Sequence, residues 1–211
     1  MCYYLNGDIM NEEKQIVLFF RKGIVVNGPE LALKLSNKFS FLGSPTVIPY
    51  NPKDVLQPLV IFNQGMIEFT VTASDINIVY KKKDYEQIYD DIMSVIEFLE
   101  ELDYSFDRMG YITTFLHSKK EKENFMKNVF KDQDLINSEF QLSWYKKELI
   151  DSVLVNVWER EMTDLMNGVM LLSVFDINTP IDEQYNISSE FLRDFLKKCD
   201  RYVENSDKKL K

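Results

Sequence analysis

MIEFTVTASDINIVYKKKDYEQIYDDIMSVIEFLEEL, residues Met66–Leu102, changes its apolar period halfway along. Before Lys81 the period is two. Ile67, Phe69 and Val71 alternate with Glu68, Thr70 and Thr72, and after a turn at Ser74-Asp75 the residues Ile76, Ile78 and Tyr80 share a face. Alternation of this kind is the mark of strands with one face in a core and the other in water. After Lys83 the period becomes helical: Tyr85, Ile88, Tyr89, Ile92, Val95, Ile96, Leu99 and Leu102 form one stripe, and Asp84 with Gln87 has the spacing of a capping box. An antiparallel meander therefore runs into a long amphipathic helix.

Working outward, Leu59–Asn63 is a further strand, joined to the meander by a turn at Gln64-Gly65. Ser44–Pro58 carries four prolines and reads as loop with at most a short edge strand. Gln15–Arg21 reads as a strand buried on both faces, and Gly28-Pro29 as the N-cap and first residue of a short helix ending near Phe39. Downstream, Tyr104–His117 is a strand with a bulge or bend expected at Gly110. Ser118 and Glu121 form a capping box into a helix through Phe125, Val129 and Phe130. Strands follow at Phe140–Lys146, Asp151–Arg160 and Val169–Asp176, with a hairpin signal at Asn167-Gly168, and an amphipathic helix closes at Ile187–Val203.

Residues 15–103 and 104–205 thus repeat one order of elements, between an N-terminal segment at 1–14 and a charged tail at 206–211. The expected fold is α+β: a duplicated β-α-βββ(β)-α unit in one compact pseudo-two-fold domain, with a curved antiparallel sheet and two long helices packed on one face. The other sheet face is then the natural binding surface. In the second half neither side is wholly polar, since Val153, Val155 and Val157 lie on one side of their strand and Leu154 and Trp158 on the other.

This order resembles the duplicated saddle of TATA-binding-protein-like folds. It also resembles a sporadically distributed, functionally uncharacterised bacterial family built on such a repeat. The carrying residues are Pro58–Lys81 running into Asp84–Leu102, then Arg108-Met109-Gly110-Tyr111, and Gly168–Ile177. The resemblance implies a fold and a bacterial or phage origin, with no catalytic residues to carry over. The saddle fold implies a basic DNA-binding face, and this chain, with a net charge of −9, departs from it.

Composition narrows the function classes. With 45% hydrophobic residues in 211, the chain has material for a substantial core, and no apolar run approaches the roughly 20 residues a membrane helix needs. The N-terminus has no basic or apolar leader, and Cys2 and Cys199 stand at opposite ends, so a soluble cytoplasmic protein without disulfides is expected. One histidine, His117, and two distant cysteines leave no ordinary zinc site. His117 has no Ser or Cys nucleophile motif in view, and the scattered glycines lack the spacing of a phosphate loop. No catalytic residue, metal or cofactor is expected.

Charge supplies the functional expectation. Nine acids and no Lys or Arg lie between Asp84 and Asp107, equal to the whole formal excess. Such a face is a solvated helix surface, a divalent-metal site at Glu86, Asp90 and Asp91, or an imitation of a phosphate backbone that draws a basic partner. Tyr111, Trp144, Tyr145 and Trp158 would form a stacking platform for single-stranded nucleic acid if they shared the open face. The expectation is a non-enzymatic macromolecule-binding protein acting on a protein partner, such as an acidic inhibitor of a host nucleic-acid-handling or antiviral defence system. Its contact residues would be Glu86, Asp90, Glu97, Glu101, Trp144 and Trp158. The alternatives are nucleic-acid or small-ligand binding on the open face and an enzyme with an unrecognised carboxylate site. A monomer and a homodimer both remain open, the latter suggested by the Val153/Val155/Val157 stripe.

Overall fold

The structure, a computed structural model, describes residues 13–54, 56–65, 67–80, 85–129, 140–150, 152–163 and 170–207. Strand β1, Glu13–Phe20, buries every second residue from Lys14 to Phe20, so one of its faces belongs to the core. It pairs antiparallel with β5 (Asp75–Tyr80) on one side and with β6 (Phe106–His117) on the other. Beyond β5 come β4 (Ile67–Val71), β3 (Val60–Gln64) and the edge strand β2 (Pro45–Val47). Beyond β6 come β9 (Leu171–Asn178), β8 (Val153–Thr163) and the edge strand β7 (Gln141–Ile150). The result is one nine-stranded antiparallel sheet in the order β2-β3-β4-β5-β1-β6-β9-β8-β7.

Because successive side chains alternate, the pairings define rows on each face. Thr46, Ile61, Thr70, Asn77, Val17, Gly110, Asn178, Asn156 and Lys147 run across all nine strands on the open face. Three residues along, on the opposite face, a row runs Ile67, Tyr80, Lys14, Thr113, Phe175, Glu159, Trp144. The chain's four α-helices among the described residues are α1 (Gly28–Lys38), α2 (Tyr85–Glu101), α3 (Lys119–Val129) and α4 (Ser189–Asp207). Helices α2 and α4 touch each other, and Ile92, Ile96, Leu99, Leu192 and Leu196 join Ile16, Leu18, Ile78, Val157 and Ile177 in one core. Fully burying each such side chain contributes about 1.5–3 kcal/mol, which is what holds helices to sheet. A smaller cluster of Phe125, Met126 and Leu171 seats α3.

The elements follow the sequence reading with five physical corrections. Strand β1, expected to be buried on both faces, is buried on one, and Gln15, Val17 and Phe19 on the other are only half-buried. The N-cap of α1 is Asn27, whose side-chain oxygen accepts from the Glu30 amide, because glycine has no such acceptor. Gly28 serves packing instead: a Cβ there would lie 3.3 Å from that of Leu59. Gly110 sits in an unbroken ladder between Val17 and Asn178, and the register shift falls two to four residues earlier, where Phe19 and Phe20 face Arg108 and Phe106. Strand β7 continues past Lys146 to Ile150, so that β7 and β8 form a hairpin whose two-residue turn contains Ser152 at φ 72°. Finally, Val155 and Val157 are fully buried in the core beneath the helices and offer no surface to a second copy, and Val153, 8% exposed, reaches only the edge of a groove beside α4. The Ser118 capping box is present, with Glu121 accepting from the Ser118 amide at 2.8 Å. The expected Asp84 cap and the Asn167-Gly168 hairpin, like Cys2, lie outside the described residues.

Candidate binding face

The open face is organised around an absence of side chain. At Gly110 the central strand presents only backbone, and Val17, Phe19, Arg108, Ile112, Asn156, Asp176, Asn178, Thr179 and Ile181 enclose a groove of about 290 Å³ above it. A Cβ at Gly110 would stand 3.7 Å from Asn178 Cβ and 3.8 Å from Val17 Cβ, so a methyl fits and anything larger fills the groove. One wall is Phe19 with the Arg108 guanidinium 4.2 Å from its ring centroid. The other is a hydrogen-bonded series. Tyr145 OH donates to Asn156 Oδ1 at 2.9 Å, Asn156 Nδ2 to Asn178 Oδ1 at 3.2 Å, and Asn178 Nδ2 to Asp176 Oδ1 at 3.0 Å. Arg160 approaches the same Asp176 at 3.5 Å. Beside this wall the rings of Tyr145 and Trp158 meet at 4.7 Å, and both remain well exposed. Charges on the face are mixed: Arg108, Lys147 and Arg160 against Glu13, Glu68, Asp75 and Asp176.

The expected site residues do not assemble. Trp158 is on the open face opposite Tyr145, whereas Trp144 pairs with Glu159 and belongs to the helix side. Tyr111 is fully buried in the core. The four-aromatic platform is therefore split between the two faces, two residues on each, as a one-residue offset in a strand requires. Among the acids of α2, Asp90 is held by the Arg193 guanidinium of α4 at 2.5 Å, and Glu101 lies 3.4 Å from Lys38 of α1. Glu97 is exposed. Glu100 has its carboxyl raised above the ordinary range by partial burial, against a bond from the Ser189 backbone and with help from Glu97. Glu86 falls in α2, with its side chain outside the described residues. Two of the four acids proposed to meet a partner thus already meet cations of this chain.

The sheet's helix side holds two buried polar clusters that the sequence reading missed. In the first, the Asp200 carboxylate of α4 accepts from Lys14 Nζ at 2.6 Å, from Tyr89 OH at 2.5 Å and, by a very short bond, from Tyr111 OH. Burial, then the Asp200 charge and neighbouring tyrosines, push the Tyr111 phenol far above its usual value, and burial does the same at Tyr89. In the second cluster, Ser173 Oγ donates to Glu161 at 2.5 Å and lies 2.7 Å from His117 Nε2, with all three residues buried. Since the serine proton goes to the carboxylate, Nε2–H is the donor toward Oγ, a tautomer assigned from the network. This is the reverse of the polarity a nucleophilic serine needs, in which the imidazole takes the hydroxyl proton. At the outer rim Lys146 bonds Glu159 at 3.1 Å. Burial disfavours its charge, but bonds to Tyr202 and Glu159 prevail and hold the ammonium above its usual range, while burial pushes the Tyr202 phenol up to about 12.

The signal for the first cluster was available. Lys14 is in phase with Ile16, Leu18 and Phe20, so an ammonium on the core face demanded a buried carboxylate. Among the described residues no helix is long and apolar enough to cross a membrane. No protein-family model matches the chain, and a search of curated proteins finds no match.

Proposed function

We propose that the chain is a non-enzymatic binding protein whose partner is another protein, engaged on the open sheet face over Gly110. The observation that carries this is the groove itself, with a glycine floor, a cation–aromatic wall and a wall of oriented amides, next to the exposed Tyr145–Trp158 pair. Aromatic anchors beside satisfied polar groups are the composition of protein interfaces. A phosphate backbone would need clustered cations, and the mixed charge of this face does not favour it. The net charge of −9 would steer a basic partner, in keeping with an acidic inhibitor of bacterial or phage origin acting in the cytoplasm. We infer also that the halves are copies of one β-α-βββ(β)-α unit meeting at β1 and β6. The parallel element order on either side of that pair supports this.

The test is capture from source-cell extract on immobilised wild type, Gly110→Leu and Trp158→Ala, at low and high salt. The expected result is one stoichiometric protein held by wild type and weakened on either variant by about 30-fold or more, the scale of a binding hot spot. Equal retention by all three would refute the face. A partner lost instead on charge reversal of Glu86, Asp90, Glu97 and Glu101 would move the site to α2. Recovery of nucleic acid alone would favour the saddle alternative.

A further inference from the structure

The two rims of the sheet are unequal. Strand β2 is three residues long and begins with Pro45, which blunts it as a template for pairing. Strand β7 is ten residues long and has no proline, and the described residues place no strand beyond it. Three of the eleven large hydrophobic residues exposed among the described residues, Trp144, Tyr145 and Leu149, stand on this one strand.

The backbone register says which groups point away from β8. The turn after Ile150 joins it to Val153, and a two-residue hairpin turn bonds its flanking residues to each other. Counting back by alternation, Ile150, Glu148, Lys146 and Trp144 direct their amides and carbonyls to β8, as does Phe140, whose carbonyl accepts from the Thr163 amide. Ser143, Tyr145, Lys147 and Leu149 direct theirs outward.

The strand is self-complementary about Lys147. An antiparallel copy centred there sets Lys146 opposite Glu148, Tyr145 opposite Leu149 and Trp144 opposite Ile150, each twice. Cross-strand pairs of opposite charge and of aromatic with aliphatic residues are the stabilising kinds. Like charges meet only at the axis, on exposed Lys147 stems. The pair Trp144–Ile150 has a further consequence. Ile150 and Val153, with Phe191 and Phe195 of α4, line a groove of about 350 Å³ on the helix side, the side on which Trp144 stands.

We propose that the β7 edge is the interface of a two-fold homodimer, in which the strands pair antiparallel about Lys147 and Trp144 of each copy seats in the α4 groove of the other. The two sheets become one, and both open faces look the same way.

Sedimentation velocity across a concentration series tests this on the full chain. A species of twice the 25.0 kDa chain mass is expected, and a monomer at every concentration would overturn the proposal. Lys147→Pro removes an outward amide at a position where an edge strand tolerates proline, so the chain stays folded and the dimer weakens by about 30-fold or more. Trp144→Ala should weaken it comparably. Opposed bonded residues stand about 5.5 Å apart, within disulfide reach, so Lys147→Cys in a Cys2→Ser background should cross-link two copies on oxidation, whereas Tyr145→Cys alone should not. A dimer that survives Trp144→Ala unchanged, or fails to cross-link at 147, would place the interface elsewhere and sink the assignment. A foreign strand on β7 in place of a second copy would overturn it too. No partner protein enters these measurements, so their outcome is separate from that on the open face.

Discussion

Removing the Asp200 carboxylate by Asp200→Asn should be among the most damaging isosteric changes this chain can suffer. Its side chain is 18% exposed and takes three bonds, whereas that of Lys14 is 4% exposed and rests on it. The asparagine retains an acceptor for the tyrosine hydroxyls, so the principal loss is the counter-charge. Removing one partner of a buried ion pair costs about 3–5 kcal/mol, and water reaching the Asp200 end puts the loss at about 3–4 kcal/mol. Lys14→Met should be milder, about 1–2 kcal/mol, because the carboxylate keeps two hydroxyl donors and some solvent. The double variant should regain at least about 2 kcal/mol over Asp200→Asn plus Lys14→Met, since an absent pair is cheaper than a broken one. Urea unfolding at pH 7, followed by circular dichroism with m unchanged, measures all four proteins. The single Asp200→Asn variant should also lower Tm by about 10 °C in a chain of this length. A loss under about 1 kcal/mol, or strict additivity, would mean that Lys14 reaches water and the cluster is not a closed ion pair.

The raised phenols make alkaline pH a second probe. Tyr89 and Tyr111 keep their protons in the fold, whereas an unfolded chain releases them near pH 10, so the stability they carry is complete below pH 10 and lost as pH rises above it. Two such groups cost about 2.7 kcal/mol per pH unit in that range, to be read from urea midpoints at pH 9, 10 and 11. Tyr89→Phe with Tyr111→Phe should flatten the slope, and a slope unchanged by both would refute the assignment. Ser173→Ala removes the hydroxyl between His117 and Glu161 among three buried residues, and should cost about 1–3 kcal/mol by the same assay. A neutral result would mean that the two flanking groups bond each other directly.

Local periodicity made the fold legible, and long-range partnership did not. The strands and α2 follow from Ile67–Tyr80 and from the Tyr85–Leu102 stripe because alternation and helical spacing are decided within a few residues. The Ser118–Glu121 cap was legible for the same reason. Which acid meets which base was not: Lys14 is 186 residues from Asp200, and their contact exists only once α4 lies across β1 and β6. Asp90 has no nearby cation in sequence, so it read as free charge, yet Arg193 closes on it from α4. The tryptophans show the intermediate case. Within its own strand each is legible, Trp144 sharing a face with Leu142 and Lys146, but which parity faces the helices depends on β8, and the hairpin register puts the two on opposite sides.

The clusters on the helix side and the bareness of the open side are two consequences of one constraint. Among the described residues the helices pack their apolar side chains on one sheet face, and polar groups caught there, Lys14, Asp200, His117, Ser173 and Glu161, are each bonded to another. Asp200 ties α4 to β1, β6 and α2, Ser173 ties β9 to β8 and β6, and the chemistry of these groups is spent on the fold. What remains uncommitted is on the other face and at one rim. Arg108 stacks on Phe19 over an unfilled groove, Tyr145 and Trp158 stand exposed together, and the outward amides of β7 face no strand among the described residues. Among the described residues, burying that aromatic surface and completing that edge are gains still open, and it is on them that the proposed association rests.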